Sequence, residues 1–76
     1  MMKLFKFNYK EFTLIIETNH LYVLKTITLL KNGKELEKIT DAFIISEENI
    51  KKINKMLKFF DDKTKKEIIN FIKELD

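Results

Sequence analysis

The fold is decided by residues 26–39, which read TITLLKNGKELEKI. Asn32-Gly33 is the strongest short signal for a β-hairpin, because both residues tolerate the positive φ angles of a type I′ turn. Before it, residues 21–31 are rich in Leu, Val, Ile, Tyr and Thr and predict a strand. After it, a further strand is predicted over residues 34–40, with a resumption at residues 43–45.

Two more strands are predicted upstream of this hairpin. Residues 3–9 alternate between apolar and polar side chains, and residues 12–18 repeat the same period of two. Two-residue turns at Lys10-Glu11 and Asn19-His20 would bring the apolar side chains of the strands onto one inner face. The predicted inner face holds Phe5, Phe7, Tyr9, Phe12, Leu14, Ile16, Leu21, Val23, Ile27, Leu29 and Leu36.

This arrangement fixes a register, with some misfits. The predicted pairs are Tyr9–Phe12, Phe7–Leu14, Phe5–Ile16, Ile16–Val23, Phe12–Ile27, Ile15–Leu24 and Leu29–Leu36. Lys25 then lies opposite Leu14, and Lys10-Glu11 lacks the usual turn residues. The last strand drifts out of phase after Leu36. One β-bulge near Glu37-Lys38 would return its later apolar side chains to the inner face, namely Ile39, Phe43 and Ile45.

The second half of the chain changes to a helical period. Ser46 is a good N-cap, and Glu47 and Glu48 suit the positive end of a helix dipole. Asp61-Asp62 offers a second N-cap. Two helices of about 14 residues each are therefore predicted. Their apolar stripes are Ile50, Ile53, Leu57 and Phe60 in the first helix, and Ile68, Phe71, Ile72 and Leu75 in the second, flanked by Ile69.

The sequence thus predicts a single α+β domain over residues 1–76. Residues 1–45 form a four-stranded antiparallel β-meander, and residues 46–76 form an αα-hairpin packed on one face of the sheet. A chain of 76 residues without cysteine has a thin core and no disulfide to stabilise it. Burial of apolar surface, within the chain or against a second subunit, has to supply its stability.

Charge and hydropathy restrict the partners. The chain carries 15 basic residues, all lysine, against 12 acidic residues, and its net charge is +3. Without arginine no bidentate contact to guanine edges is available, which weakens sequence-specific DNA recognition. The apolar runs are far shorter than the ~20 residues of a membrane-spanning helix. The N-terminal residues do not resemble a signal peptide, so a cytoplasmic protein without membrane contact is expected.

The second face of the predicted sheet is more apolar than a solvated face needs to be. Ile15 would lie opposite Leu24, and further apolar side chains lie close by. The predicted patch consists of Leu4, Ile15, Tyr22, Leu24 and Leu30. A contiguous apolar patch on a small domain is typical of an interface, and a symmetric homodimer would bury it. Alternatively, the helices divide between both faces, or the register differs.

Candidate catalytic groups are few. His20 is the only histidine and falls in a predicted turn, and the only serine, Ser46, is explained as a helix cap. The acids Asp61, Asp62 and Glu67 are interleaved with lysines and lack the spacing of a calcium loop. One glycine is too few for a phosphate-binding loop. We therefore predict no catalytic residue, no metal site and no cofactor.

Two functional hypotheses remain. The first is a small non-catalytic protein-interaction module, homodimeric through the apolar patch. Adaptors, accessory subunits and inhibitors, including those of phages and mobile elements, are often of this size. The alternative is a nucleic-acid-binding protein that uses the lysine-rich face of the first helix. That face holds Lys51, Lys52, Lys55 and Lys58.

Two further aromatic features are candidates for binding. Phe5, Phe7 and Tyr9 alternate with lysines, as in proteins that stack bases on a sheet, but they fall on the predicted core face. Phe59 lies off the apolar stripe of the first helix. It is a candidate contact point or, by the favoured interpretation, packs inside the domain.

Overall fold

The computed structural model describes residues 3–18, 25–41 and 47–75. The elements are β1 (Lys3–Tyr9), β2 (Phe12–Thr18), β3 (Lys25–Lys31), β4 (Lys34–Asp41), α1 (Glu47–Leu57) and α2 (Asp62–Leu75). The strands form one antiparallel sheet in the order β1-β2-β3-β4. The predicted α+β class and its order of four strands followed by two helices are therefore confirmed.

The first hairpin has the predicted register. Tyr9 pairs with Phe12, so the turn contains only Lys10 and Glu11. Lys10 adopts a φ of 54°, where a side chain with a Cβ costs roughly 1–2 kcal/mol. Its Nζ lies 5.2 Å from the centroid of the Tyr9 ring. The Glu11 carbonyl accepts a hydrogen bond of 2.8 Å from the Asn32 amide, which joins this turn to the turn between β3 and β4.

The register between β2 and β3 differs from the prediction by four residues. Ile16 pairs with Ile27, and Thr18 pairs with Lys25. The two-residue turn predicted at Asn19-His20 lies outside the described residues. The wrong predicted pairs are Ile16–Val23, Phe12–Ile27 and Ile15–Leu24. Residues 21–24, predicted to begin the third strand, lie outside the described residues.

The four-residue shift leaves the predicted inner face unchanged in β2 and β3. Side chains alternate along a strand with a period of two, so an even shift exchanges partners without exchanging faces. Leu14 now pairs with Leu29. Both are fully buried, and the poor match of Leu14 with Lys25 disappears.

The second hairpin confirms the Asn32-Gly33 turn and relocates the bulge. Both turn residues have positive φ angles, 52° and 82°. Leu30 pairs with Glu35 and Leu29 with Glu37, so the extra residue is Leu36 and not one at Glu37-Lys38. Leu36 was predicted on the inner face, but it is 50% exposed.

Beyond the bulge, β4 returns to the predicted face. Ile39 pairs with Ile27, and both side chains are buried. The predicted resumption of the strand at Phe43 and Ile45 lies outside the described residues.

The helices begin close to the predicted positions. α1 has 11 residues and starts at Glu47, and its predicted cap, Ser46, lies outside the described residues. α2 has 14 residues. The amide of Thr64 donates a 3.0 Å hydrogen bond to Oδ1 of Asp61, which confirms an N-cap at the second helix.

One residue of the predicted helical stripes is misplaced. Ile50 is 45% exposed, whereas Met56, which was not among the predicted stripe residues, is fully buried. Ile53, Leu57 and Phe60 are buried as predicted. The buried stripe of α1 is therefore rotated toward Met56.

Both helices cover the same face of the sheet, which is called the covered face below. The Phe71 ring of α2 lies 4.5 Å from Phe5 and 5.6 Å from Phe7 by ring centroids. After α1, Phe60 lies 6.4 Å from Phe12. The buried core contains Phe12, Leu14, Ile16, Ile27, Leu29, Ile39, Ile53, Met56, Leu57, Phe60, Ile68 and Ile72. The aromatic side chains of β1 pack against this core, as predicted.

Candidate interaction surfaces

The other side of the sheet, called the open face, carries the described part of the predicted patch. Strand pairing places on it Leu4, Lys6, Asn8, Thr13, Ile15, Glu17, Thr26, Thr28, Leu30, Glu35, Lys38 and Thr40. Glu37 lies on the covered side, because it pairs with Leu29.

Leu4, Ile15 and Leu30 form a diagonal across the open face. Leu4 pairs with Glu17 and Leu30 with Thr13, each two residues along β2 from Ile15. Diagonal neighbours in a sheet lie about 7–8 Å apart, within reach of large side chains. Leu4 is 54% exposed, and the other two are half-buried. Tyr22 and Leu24, the remaining predicted patch residues, lie outside the described residues.

The charges of the open face cancel. Lys6 and Lys38 are balanced by Glu17 and Glu35, and these are the charged residues among the described positions of this face. Polar groups of this face also bond to each other, since the Thr13 hydroxyl donates a 2.8 Å hydrogen bond to Oδ1 of Asn8. The open face is therefore neutral, with an apolar diagonal and threonines.

A second surface, which the sequence did not predict, lies between β4 and α1. We call it the β4–α1 groove. It has a volume of about 300 Å³ and is lined by Leu29, Leu36, Glu37, Lys55, Met56, Lys58 and Phe59. Two signals in the sequence hinted at it: Phe59 fell off the helical stripe, and the phase of β4 was lost after Leu36.

An aromatic stack forms one end of the groove. Phe59 is 37% exposed, and its ring lies 4.8 Å from that of Phe12 with an angle of 25° between the planes. Lys58 Nζ lies 5.6 Å from the Phe59 centroid, and Lys31 Nζ lies 5.8 Å from the Phe12 centroid. Phe59 thus both packs on the core and remains accessible.

The lysines of the predicted lysine face of α1 have different surroundings in the structure. Lys51, Lys52, Lys55 and Lys58 are all exposed. Lys52 forms a 3.6 Å ion pair with Glu48 one helical turn earlier, which is of small energetic value at an exposed site. Lys55 and Lys58 instead line the β4–α1 groove.

The candidate groups for catalysis are placed as follows. His20 and Ser46 lie outside the described residues. Asp61 acts as a helix cap, and hydrogen bonds from the Thr64 hydroxyl and amide hold the pKa of its carboxyl below the ordinary value of 3.8. Over residues 3–18, 25–41 and 47–75 no cluster of three His, Cys, Asp or Glu side chains could bind a metal. None of the described helices is long and apolar enough to cross a membrane.

Comparison of the chain with protein-family models, with curated proteins and with solved structures gives no match. Its function is therefore argued from the two surfaces themselves.

Proposed function

We propose that this chain is a small protein-interaction module that pairs with a second copy of itself through the open face. It would act without catalysis, as an adaptor, accessory subunit or inhibitor, in the cytoplasm as its sequence suggests. The apolar diagonal of Leu4, Ile15 and Leu30 supports this proposal most directly, because Leu4 is 54% exposed and the described helices pack on the opposite face.

Charge favours a second copy as the partner. In a symmetric dimer the same patch meets itself, so it must be complementary to itself. A face with charges of one sign would repel its copy. Among the described residues the open face has two lysines and two glutamates, so a rotated copy can place opposite charges together.

The size of the face limits the area that pairing can bury. Strands of seven residues and a sheet of four strands give a face of roughly 19 by 23 Å, using ~4.8 Å between strands and ~3.3 Å per residue. Two such faces bury about 900 Å², below the ~1,200 Å² at which stable interfaces begin. We therefore expect a weak dimer whose population depends on concentration.

The test is sedimentation velocity of the full chain from tens of micromolar to about one millimolar. We expect the mass to rise toward twice that of the chain. Leu4→Asp should abolish the rise, because it places a carboxylate on the diagonal. Leu36→Asp is the matched control, since Leu36 is equally exposed but lies off the open face.

Two results would overturn the proposal. One is a monomer at every concentration. The other is equal dimer loss in Leu4→Asp and Leu36→Asp. Binding of random DNA or RNA that weakens steeply with salt would instead favour the lysine face of α1. In that case, substitution of Lys51 and Lys52 by Gln should remove the affinity.

A further inference from the structure

We propose that the β4–α1 groove binds an acidic peptide segment of another protein, anchored by one bulky apolar side chain. This goes beyond the proposed pairing of open faces and uses a different surface. Pairing would leave the groove accessible, so one domain could hold its copy and a partner at the same time.

The groove has the shape of a pocket for one side chain. Its apolar lining includes Leu29 and Met56, which are fully buried members of the core, while Leu36 and Phe59 are partly exposed. A volume of about 300 Å³ is at the lower end of the range for ligand pockets. It suits a single large apolar side chain better than an extended ligand.

The exposed apolar residues are held in place before any ligand arrives. Phe59 is stacked on Phe12, which belongs to β2 in the centre of the sheet. Leu36 is fixed by the bulge, whose neighbours Glu35 and Glu37 both pair with β3. A rigid apolar contact loses little conformational entropy on binding, which is the usual property of an interface anchor.

Charge at the groove selects an acidic partner. Lys55 and Lys58 line it, and Lys31 lies over the Phe12 ring that supports Phe59. Glu37 is the only acidic residue among the lining residues. The rim therefore carries an excess of positive charge, and carboxylates on both sides of the apolar anchor would complement it.

The geometry favours a side chain over an added strand or a nucleic acid. The bulge at Leu36 interrupts the regular ladder along β4, which hinders pairing of a new strand at this edge. A base would need an aromatic face, but one face of Phe59 is occupied by Phe12. The remaining lining is aliphatic at Leu29, Leu36 and Met56, which matches an apolar side chain.

The experiment is selection of phage-displayed random peptides of about twelve residues on the full-length chain. The most enriched peptide is then synthesised, and its affinity is measured by fluorescence anisotropy. We expect the enriched peptides to share a Leu, Ile, Phe or Met flanked by Asp or Glu. Leu36→Asp should weaken binding of the synthetic peptide at least about tenfold, because it places a carboxylate in the pocket.

Lys55→Glu should weaken the same peptide by a similar factor, whereas Leu4→Asp should leave its affinity unchanged. Melting curves followed by circular dichroism verify that the variants fold, and Leu36 and Lys55 are both exposed. The proposal is wrong if enriched peptides lack acidic residues, or if their affinity is insensitive to both groove variants. If random single-stranded DNA at the same concentration as the synthetic peptide displaces that peptide, the groove binds nucleic acid instead. The affinity of the groove for the peptide does not depend on whether Leu4→Asp disrupts the dimer. The proposed pairing and the proposed peptide binding can therefore be disproved independently.

Discussion

The covered face and the open face of the sheet alternate residue by residue along the same strands, yet they differ in composition. On the covered face, Leu14, Ile16, Ile27 and Leu29 are almost completely inaccessible to solvent. On the open face, threonines, lysines and glutamates surround a diagonal of three apolar side chains. Each face has exceptions: Thr18 is a buried polar residue on the covered face, and the diagonal is apolar on the open face.

The difference indicates that the covered face, which packs against the helices, contributes most to the stability of the fold. The open face contributes less. Apolar side chains on the covered face are held by both the sheet and the helices, so each contributes to folding. Those on the open face gain less from folding, because part of their surface remains in water. The proposed contact with a second copy would bury the surface that remains.

The largest difference in stability is expected between substitutions of two neighbouring residues that lie on opposite faces of the sheet. Leu14→Ala removes a fully buried side chain, and we expect it to lower the free energy of unfolding by about 2–5 kcal/mol. Ile15→Ala, one residue later, should cost about 1 kcal/mol, because Ile15 is half-buried on the open face. Urea unfolding followed by circular dichroism measures both.

Equal losses for the two variants would contradict the distinction between the faces. Ile15→Ala should also weaken pairing at high concentration in sedimentation. Leu14→Ala, once corrected for the unfolded fraction, should not.

A smaller effect of opposite sign is expected at Thr18. Its side chain is fully buried, and its hydroxyl has no hydrogen-bond partner in the described part of the chain. Thr18→Val keeps the shape, suits a strand and removes the buried polar group, so we expect about 1 kcal/mol of added stability. Thermal unfolding measures the change.

Thr13→Val is the matched control for Thr18→Val. The Thr13 hydroxyl is hydrogen-bonded to Asn8 on the open face, so its removal should bring no gain. A loss of stability in Thr18→Val would mean that the buried hydroxyl makes a favourable contact.

The smallest effect concerns the cap that directs α2 back over the covered face. Because hydrogen bonds from Thr64 lower the pKa of Asp61 below 3.8 in the folded chain, its carboxylate stabilises the fold above about pH 4. This contribution is lost as the pH falls through the lowered pKa. Carbon-detected NMR titration should show Asp61 titrating below its ordinary range, and Thr64→Val should move its pKa back upward.

Asp61→Asn provides the control for this pH dependence. Asn caps helices about as well as Asp but does not titrate in this range, so the stability of the variant should fall less than that of the wild type as the pH is lowered. An unchanged acid profile in Asp61→Asn would show that the cap is not responsible.

The sequence predicted the strands and their faces but not every partner. In the first hairpin, the apolar alternation on both sides of Lys10-Glu11 left one register, and the structure has it. Between β2 and β3, a shift by four residues keeps every side chain on its face, so the pattern alone could not distinguish a two-residue turn from a six-residue connection. The period of a strand indicates on which face of the sheet each side chain lies. It does not indicate how long the connection between two strands is.

The candidate surfaces were predictable to different degrees. Ile15 and Leu30 lie on the open face because the period of two placed them there. The β4–α1 groove depends on a bulge at Leu36 and on the stack of Phe59 on Phe12, two contacts that join distant parts of the chain. Leu36 was assigned inward because it is apolar, and a local pattern cannot show that a bulge leaves it half-exposed beside α1.

The hydrogen bond from the Asn32 amide to the Glu11 carbonyl has a consequence for the order of folding. The Asn-Gly turn forms readily by itself, whereas Lys10 must enter an unfavourable backbone region. Once β3 and β4 have closed, the Asn32 amide is positioned to hold the turn between β1 and β2. We therefore expect the hairpin of β3 and β4 to form first and to act as a template on which the hairpin of β1 and β2 is completed.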